Sequence, residues 1–266
     1  MLTKTSFQGK LTKTENLFIP FIVAGDPGPE WTIQFALRLQ EEGADVLELG
    51  VPYSDPLADG PTIQRAAQRA IKAGMSLRKA IELVPKLREH GLEIPVVIFT
   101  YYNPVLQIGH EEFFELLERN GVEGLLIPDL PFEESEEIRN HSEEKGIEFI
   151  SLVAPNSDQR IKQIAEHAKG FLYCVSSLGV TGERKEMSAA ALAFIEKVRQ
   201  HSQVPVAVGF GISTNDHVRL VRDHADGVII GSKIIRLIEA ELENIEKGKM
   251  DEALKHFTDE IRALVQ

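Results

Sequence analysis

Residues 43–50 read GADVLELG: a glycine-led turn, then a short apolar run broken by a single acid, Glu48. The same unit recurs along the chain. Gly91 leads into PVVIFTY, Gly121 into GLLIPD, Gly146 into EFISLV and Gly170 into FLYCVS. Val204-Pro205 lead into VAVGFG and Asp226-Gly227 into VIIGS; with LFIPFIVAG at 17–25 this makes eight runs. Each run is apolar on both faces and rich in β-branched residues, as parallel strands covered on both sides must be. The segments between them carry helical periodicity, as at Ile33, Leu37 and Leu39 or Ile81, Leu83 and Leu87. Glycine at the helix ends supplies the left-handed cap. Strands alternating with helices predict a parallel α/β sheet, and eight units in 266 residues favour a closed (β/α)8 TIM barrel over an open sheet.

No low-complexity linker or break in composition divides the chain, so residues 1–266 read as one barrel domain. SFQGKL at 6–11 reads as an extra N-terminal helix across the barrel floor, and two helical stretches, 232–247 and 250–265, follow the last run. The 29 basic and 41 acidic residues give a net charge of −12, which disfavours a nucleic-acid partner without a local basic patch. The acids at 111–118 and 133–137 read as solvated helix faces. Cys174 is the only cysteine, so no internal disulfide can form. The first residues lack the apolar core of a signal peptide, and no apolar run approaches the ~20 residues needed to span a bilayer. A soluble, cytoplasmic protein is the expectation.

Barrel enzymes place their chemistry at the C-terminal ends of the strands. Glu48 stands inside its run, and alternation puts it on the same face as Val46. If that face is the interior, burial raises the carboxyl pKa toward neutrality and suits it to acid–base work; otherwise it pairs with a lysine of a neighbouring helix. The following loop carries Asp55 and Asp59, either of which could serve turns and caps instead. Tyr173 ends the sixth run, where it can donate to a substrate or to Glu48, or simply fill the barrel's upper layer. Cys174 should point the other way. His217 and His224 lie seven apart on one helical segment, without metal-ligand logic, and no metal site is expected. A phosphate signal comes from three adjacent run ends: SLGVTG at 177–182, GFGIS at 209–213, and Gly231-Ser232 opening a helix. Glycines let backbone N–H groups approach an anion, and a helix N-terminus adds positive potential. The alternative duty of Ser213 and Ser232 is helix capping. The GFG at 209–211 lacks the third spaced glycine of a dinucleotide fingerprint.

Several stretches resemble one family, the tryptophan synthase α chain. They are IPFIVAGDP at 19–27, LELGVPYSDPLADGPTIQ at 47–64, YYNPV at 101–105, IPDLPFEES at 127–135, GVTG at 179–182 and GFGIS at 209–213. The similarity runs in order from about Phe18 to the last helices. It implies a ribulose-phosphate-binding TIM barrel and a carbon–carbon lyase that cleaves indole-3-glycerol phosphate by a retro-aldol reaction. By position, Glu48 matches the catalytic acid–base, Asp59 the aspartate that holds the indole N–H, and Tyr173 the neighbouring tyrosine. Gly182, Gly211, Gly231 and Ser232 match the phosphate binders, and Phe21, Phe99, Leu125, Phe210 and Ile229 the indole pocket. The resemblance further implies an α2β2 complex in which a β subunit holds pyridoxal phosphate and receives the indole, so no cofactor is expected in this chain. Pro52, Asp55, Asn103, Pro104, Asp129 and Pro131 match the docking face. Loops 50–60 and 176–190 read as lids. One departure is Ser176-Ser177-Leu178, neutral where some relatives carry an arginine. The competing readings are another phosphate-sugar barrel, such as an isomerase of histidine or tryptophan biosynthesis, a non-catalytic activating subunit, and a plain phosphate-binding module.

Overall fold

The computed structural model describes residues 6–11, 13–155, 158–175, 188–209 and 211–266. The eight runs form nine strand pieces: β1 (Leu17–Val23), β2 (Leu47–Gly50), β3 (Val96–Phe99), β4 (Gly124–Leu126), β5 (Glu148–Phe149), β6 (Leu152–Val153), β7 (Leu172–Val175), β8 (Val206–Gly209) and β9 (Gly227–Ile230). All pairings are parallel, in the order β5-β4-β3-β2-β1-β9-β8-β7-β6. The extra piece arises because the run EFISLV changes partners midway. Ile150 N–H donates to Leu125 C=O at 2.8 Å on one side, and Ser151 C=O accepts from Tyr173 N–H at 3.0 Å on the other. One run therefore joins the two ends of the sheet, and the sheet closes as a TIM barrel.

Alternation separates two apolar layers. Leu17, Ile19, Val46, Val97, Leu126, Ile150, Phe171, Ala207 and Ile229 pack together inside the barrel. Phe18, Leu47, Leu49, Ile98, Leu125, Leu172, Cys174, Val208 and Val228 pack outward among the helices. Burying each large aliphatic side chain contributes roughly 1.5–3 kcal/mol, so both layers drive closure. Among the described residues no helix is long and apolar enough to cross a membrane.

The barrel floor is plugged by the helix Phe7–Lys10, capped by the Ser6 hydroxyl, which accepts from Gly9 N–H at 3.1 Å. Phe7 is fully buried in the interior cluster, its ring 6.4 Å from that of Phe171. Acids just ahead of three strands serve the strand beside them. Asp45 accepts from Phe18 N–H at 2.8 Å, Glu123 from Val96 N–H at 2.9 Å and Asp226 from Val206 N–H at 2.9 Å. Each also meets a cation: Lys13, Arg88 and Arg199 respectively. The carboxylates at the floor, Glu123 buried and Asp45 and Asp226 half-buried, are thus paired and hydrogen-bonded, as surroundings of lowered dielectric require.

Candidate active site

The opposite end of the barrel treats its acid differently. Glu48 sits on β2, in register with Phe21 of β1 and Val97 of β3, and its side chain is 1% exposed. Its Oε1 has no hydrogen-bond partner among the described residues. Burial alone pushes its pKa up to about 8, so the carboxyl holds its proton at neutral pH. Among the described residues, the lysine pairing that the sequence left open is not formed.

Glu48 faces a cavity of about 450 Å³, within the range of small-molecule sites. Asp59, Tyr173, Phe21, Phe99, Ile229, Gly211, Gly231 and Ser232 line the same cavity. The rings of Phe21 and Phe99 meet edge to face, with centroids 5.3 Å apart. Two glycines make room for aromatic rings. A Cβ on Gly50 would lie 2.6 Å from Phe21 Cε2, and one on Gly209 would lie 2.6 Å from Tyr173 Cε1. Gly209, which opens the GFGIS stretch, therefore seats the tyrosine. The Tyr173 hydroxyl is held well above its ordinary pKa by burial, then by the charges of Glu48 and Asp59. It therefore keeps its proton at neutral pH and has one to donate.

Asp59 reaches the cavity from the loop after β2. Tyr101, at the end of the third run, is 2% exposed and organises that loop. Its hydroxyl accepts from Ala58 N–H at 3.0 Å and bonds the Asp59 carboxylate. Gln64 Nε2 donates to Asp59 C=O at 2.8 Å. Burial raises the Asp59 pKa, and the Tyr101 bond opposes that rise. Tyr101's part depends on two loops meeting in space, which local sequence does not encode.

The far side of the cavity suits an anion. The helix Ser232–Ala240 begins at Gly231 with no side-chain cap, so its first N–H groups face outward. Gly211 adopts φ +75°, a left-handed conformation that favours glycine. Ser213 and Ser232 line the cavity and do not cap helices; the next helix, Asn215–Arg222, is capped by Thr214, which accepts from His217 N–H at 3.3 Å. Arg236, one turn beyond Ser232, lines the cavity as well and forms no ion pair among the described residues. Nothing in the local sequence distinguished it from a surface arginine.

An ion-pair network holds the two halves of this mouth together. Arg69 grips the buried Asp26 at 2.7 and 2.9 Å and Glu239 at 2.8 Å. Arg65 holds the other side of Glu239. The helix Pro61–Lys72, which follows Asp59, is thereby tied to the helix that opens at Ser232.

A family model described as "Tryptophan synthase alpha chain" matches residues 7–265. The chain belongs to the tryptophan synthase alpha chain family. Membership makes it an enzyme of tryptophan synthesis. It is 58% identical over 255 residues to the tryptophan synthase alpha chain of Geobacillus sp. (strain WCH70), covering 96% of this chain and 97% of the relative. The counterpart from Bacillus subtilis subsp. natto is 52% identical over 255 residues, with 95% of each covered. Among solved structures, a chain of the tryptophan synthase α2β2 complex of Pyrococcus furiosus has a TM-score of 0.84 at 37% identity, covering 95% of this chain and 98% of that one. Tryptophan synthase subunit alpha of Legionella pneumophila str. Paris gives 0.83 at 34%, covering 94% and 92%.

One pocket expectation drawn from the resemblance to tryptophan synthase alpha chains needs correction. Leu125 packs in the helix-facing layer, away from the cavity. β4 enters the interior with Gly124 and Leu126, and the next inward contribution to the cavity from that segment is Pro128. Gly182 and Phe210 lie outside the described residues. None of the six expected docking residues lines the cavity. Asp55, Asn103 and Pro131 are exposed, Pro104 and Asp129 half-buried, and Pro52 is buried within the chain. Three of the mouth loops are linked there: Asn103 Nδ2 donates to the Tyr53 hydroxyl at 3.1 Å, and Tyr102 N–H to Asp129 Oδ1 at 2.9 Å.

Proposed function

We propose that the chain, acting as one barrel domain, cleaves indole-3-glycerol phosphate into indole and glyceraldehyde 3-phosphate. The observation that carries this reading is the polarity of the cavity. A protonated, unpartnered carboxyl stands at one end, an uncapped helix N-terminus with glycine and serine strand ends lies at the other, and aromatic rings lie between.

Glu48 is protonated before the reaction, so it acts first as an acid. It delivers its proton to indole C3, and positive charge appears on the ring nitrogen. Asp59 stabilises that N–H cation. The Glu48 carboxylate then takes the proton of the adjacent hydroxyl as the C3–carbon bond breaks. That bond's electron pair returns to the indole ring, and the oxygen becomes the aldehyde carbonyl. The net transfer is one proton from hydroxyl to C3, and Glu48 ends protonated as it began. Tyr173 donates toward the reacting oxygen. Gly182, Gly211, Gly231 and Ser232 hold the phosphate, aided by Arg236, and binding energy gained there positions the distant indole.

The Pyrococcus relative is an α2β2 complex. We assign this chain the same partner, a β subunit that carries the pyridoxal phosphate and receives the indole. The mouth loops suit docking: Leu57 is 84% and Leu106 52% exposed, beside the exposed Asp55 and Asn103. A cytoplasmic location fits such a partnership.

The test is an assay of indole release from indole-3-glycerol phosphate. Glu48→Gln and Asp59→Asn should each lose at least ~100-fold in kcat, in line with acid–base and electrostatic contributions. Both should still bind glycerol phosphate. A variant that keeps more than about a tenth of the rate, a loss well short of the range those contributions span, overturns the assignment.

A further inference from the structure

His110, Glu137 and His141 lie on the helical ring, outside the cavity. His110 opens the helix His110–Arg119, and Glu137 and His141 stand four apart on the helix Glu136–Lys145. That spacing puts Glu137 and His141 on one face. One ligand atom from each of the three side chains lies within 4.8 Å of the other two. His110 Nδ1 is 2.8 Å from Glu137 Oε1, and His141 Nε2 is 4.0 Å from the same oxygen. Ligands of a tetrahedral zinc ion at ~2.0–2.1 Å stand about 3.4 Å apart, so the two spacings bracket the required one. Small side-chain rotations close the difference.

The imidazoles are oriented for this duty. The second nitrogen of His110, Nε2, meets the Tyr102 hydroxyl at 3.1 Å, the partner that a metal-binding histidine needs for its other N–H. The His110 ring stacks on Tyr102 and the His141 ring on Phe114. Both histidines are half-buried, while Glu137 reaches out from an exposed position. The open recess beside them is rimmed by Glu133, Glu134, Glu136 and Glu144, whose negative potential draws cations.

We propose that this cluster is a site for a divalent transition ion, zinc above all, bound by His110 Nδ1, Glu137 and His141 with water in the remaining position. Two imidazoles and one carboxylate favour zinc, cobalt or nickel over magnesium, which prefers all-oxygen octahedral sites. The ion clamps the helices that follow the third and fourth barrel runs. Through His110 it also steadies Tyr102, the residue after the Tyr101 that holds Asp59. Sequence order hides the cluster, since His110 and Glu137 are 27 residues apart.

The experiment is a cobalt(II) titration of the full chain without an affinity tag, followed by visible d–d absorption. One equivalent should saturate the signal, zinc should displace it stoichiometrically, and excess magnesium should not. Glu137→Gln and His141→Gln should each weaken cobalt binding by at least ~10-fold while indole release is unchanged. Tyr102→Phe should weaken it by about tenfold and keep the band shape, because the ligands remain. A signal that never saturates, survives both ligand substitutions, or is displaced equally by magnesium overturns the proposal.

Discussion

Glu48→Gln should make the protein more stable, by an amount that grows with pH. In the unfolded chain the carboxyl ionises near 4.5, and in the folded protein near 8. Between those values the unfolded chain has released a proton that the folded protein still holds. Raising the pH therefore favours unfolding by about 1.4 kcal/mol per pH unit. The stability that a protonated Glu48 contributes is fully present below 4.5 and is lost as the pH rises toward 8. Over that window the loss sums to roughly 3–6 kcal/mol. Glutamine is nearly isosteric with the protonated acid and does not titrate. The two proteins should thus be alike near pH 4.5 and diverge above it. Burial raises Asp59 and Asp26 too, but neither shift draws on Glu48, so both cancel in the difference. Urea unfolding of both proteins at several pH values between 5 and 8 reads the slope directly. A difference that stays flat would falsify the claim that Glu48 is buried, unpaired and neutral, and with it the acid-first mechanism.

The same carboxyl sets a rate profile: kcat/KM for indole release should fall as pH rises through about 8, because the free protein then loses the proton it must donate; a profile level to pH 9 would contradict this. Arg236→Met should raise KM about three- to tenfold with kcat little changed, since an exposed guanidinium adds modest uniform binding to a phosphate; an unchanged KM removes Arg236 from the anion end. Gly209→Ala should cost about 1–3 kcal/mol by forcing Tyr173 off its seat, and a second change, Tyr173→Leu, should recover much of it. A single variant with wild-type urea midpoint and rate would show that the ring has somewhere else to go.

The barrel was legible because its signal repeats. Eight apolar runs, six of them led by a glycine and all separated by helical periodicity, leave few alternatives, and the one discrepancy, the splitting of EFISLV, only marks where one run serves both ends of the sheet. Side-chain direction was legible in some runs and not in others. In VLELG a lone acid marks one face, with Val46, as the candidate interior, and the structure turns that face inward. In GLL, the three residues of β4, both faces are apolar, so nothing in the run itself says which leucine faces inward. Only the family resemblance points Leu125 at the pocket, and packing turns it to the helices. Tyr101 and Arg236 escaped for another reason. Each owes its place in the mouth to a long-range approach that local sequence does not encode.

What separates a functional acid from a structural one in this fold is the company it keeps. Asp45, Glu123 and Asp226 are also drawn into the barrel wall, yet each accepts a strand N–H and meets a cation. Those carboxylates are stabilised as anions and hold strands in register. Among the described residues Glu48, almost fully buried, meets neither donor nor cation, although the fold supplies both to Asp45, Glu123 and Asp226. An acid left in that condition destabilises the folded state at neutral pH by several kcal/mol relative to a neutral isostere. Packing does not explain it, because leucine or glutamine would fill the same space without the penalty. A proton kept available near pH 8, opposite an unpaired helix N-terminus, is what such an arrangement yields, and cleavage at indole C3 is chemistry that requires one.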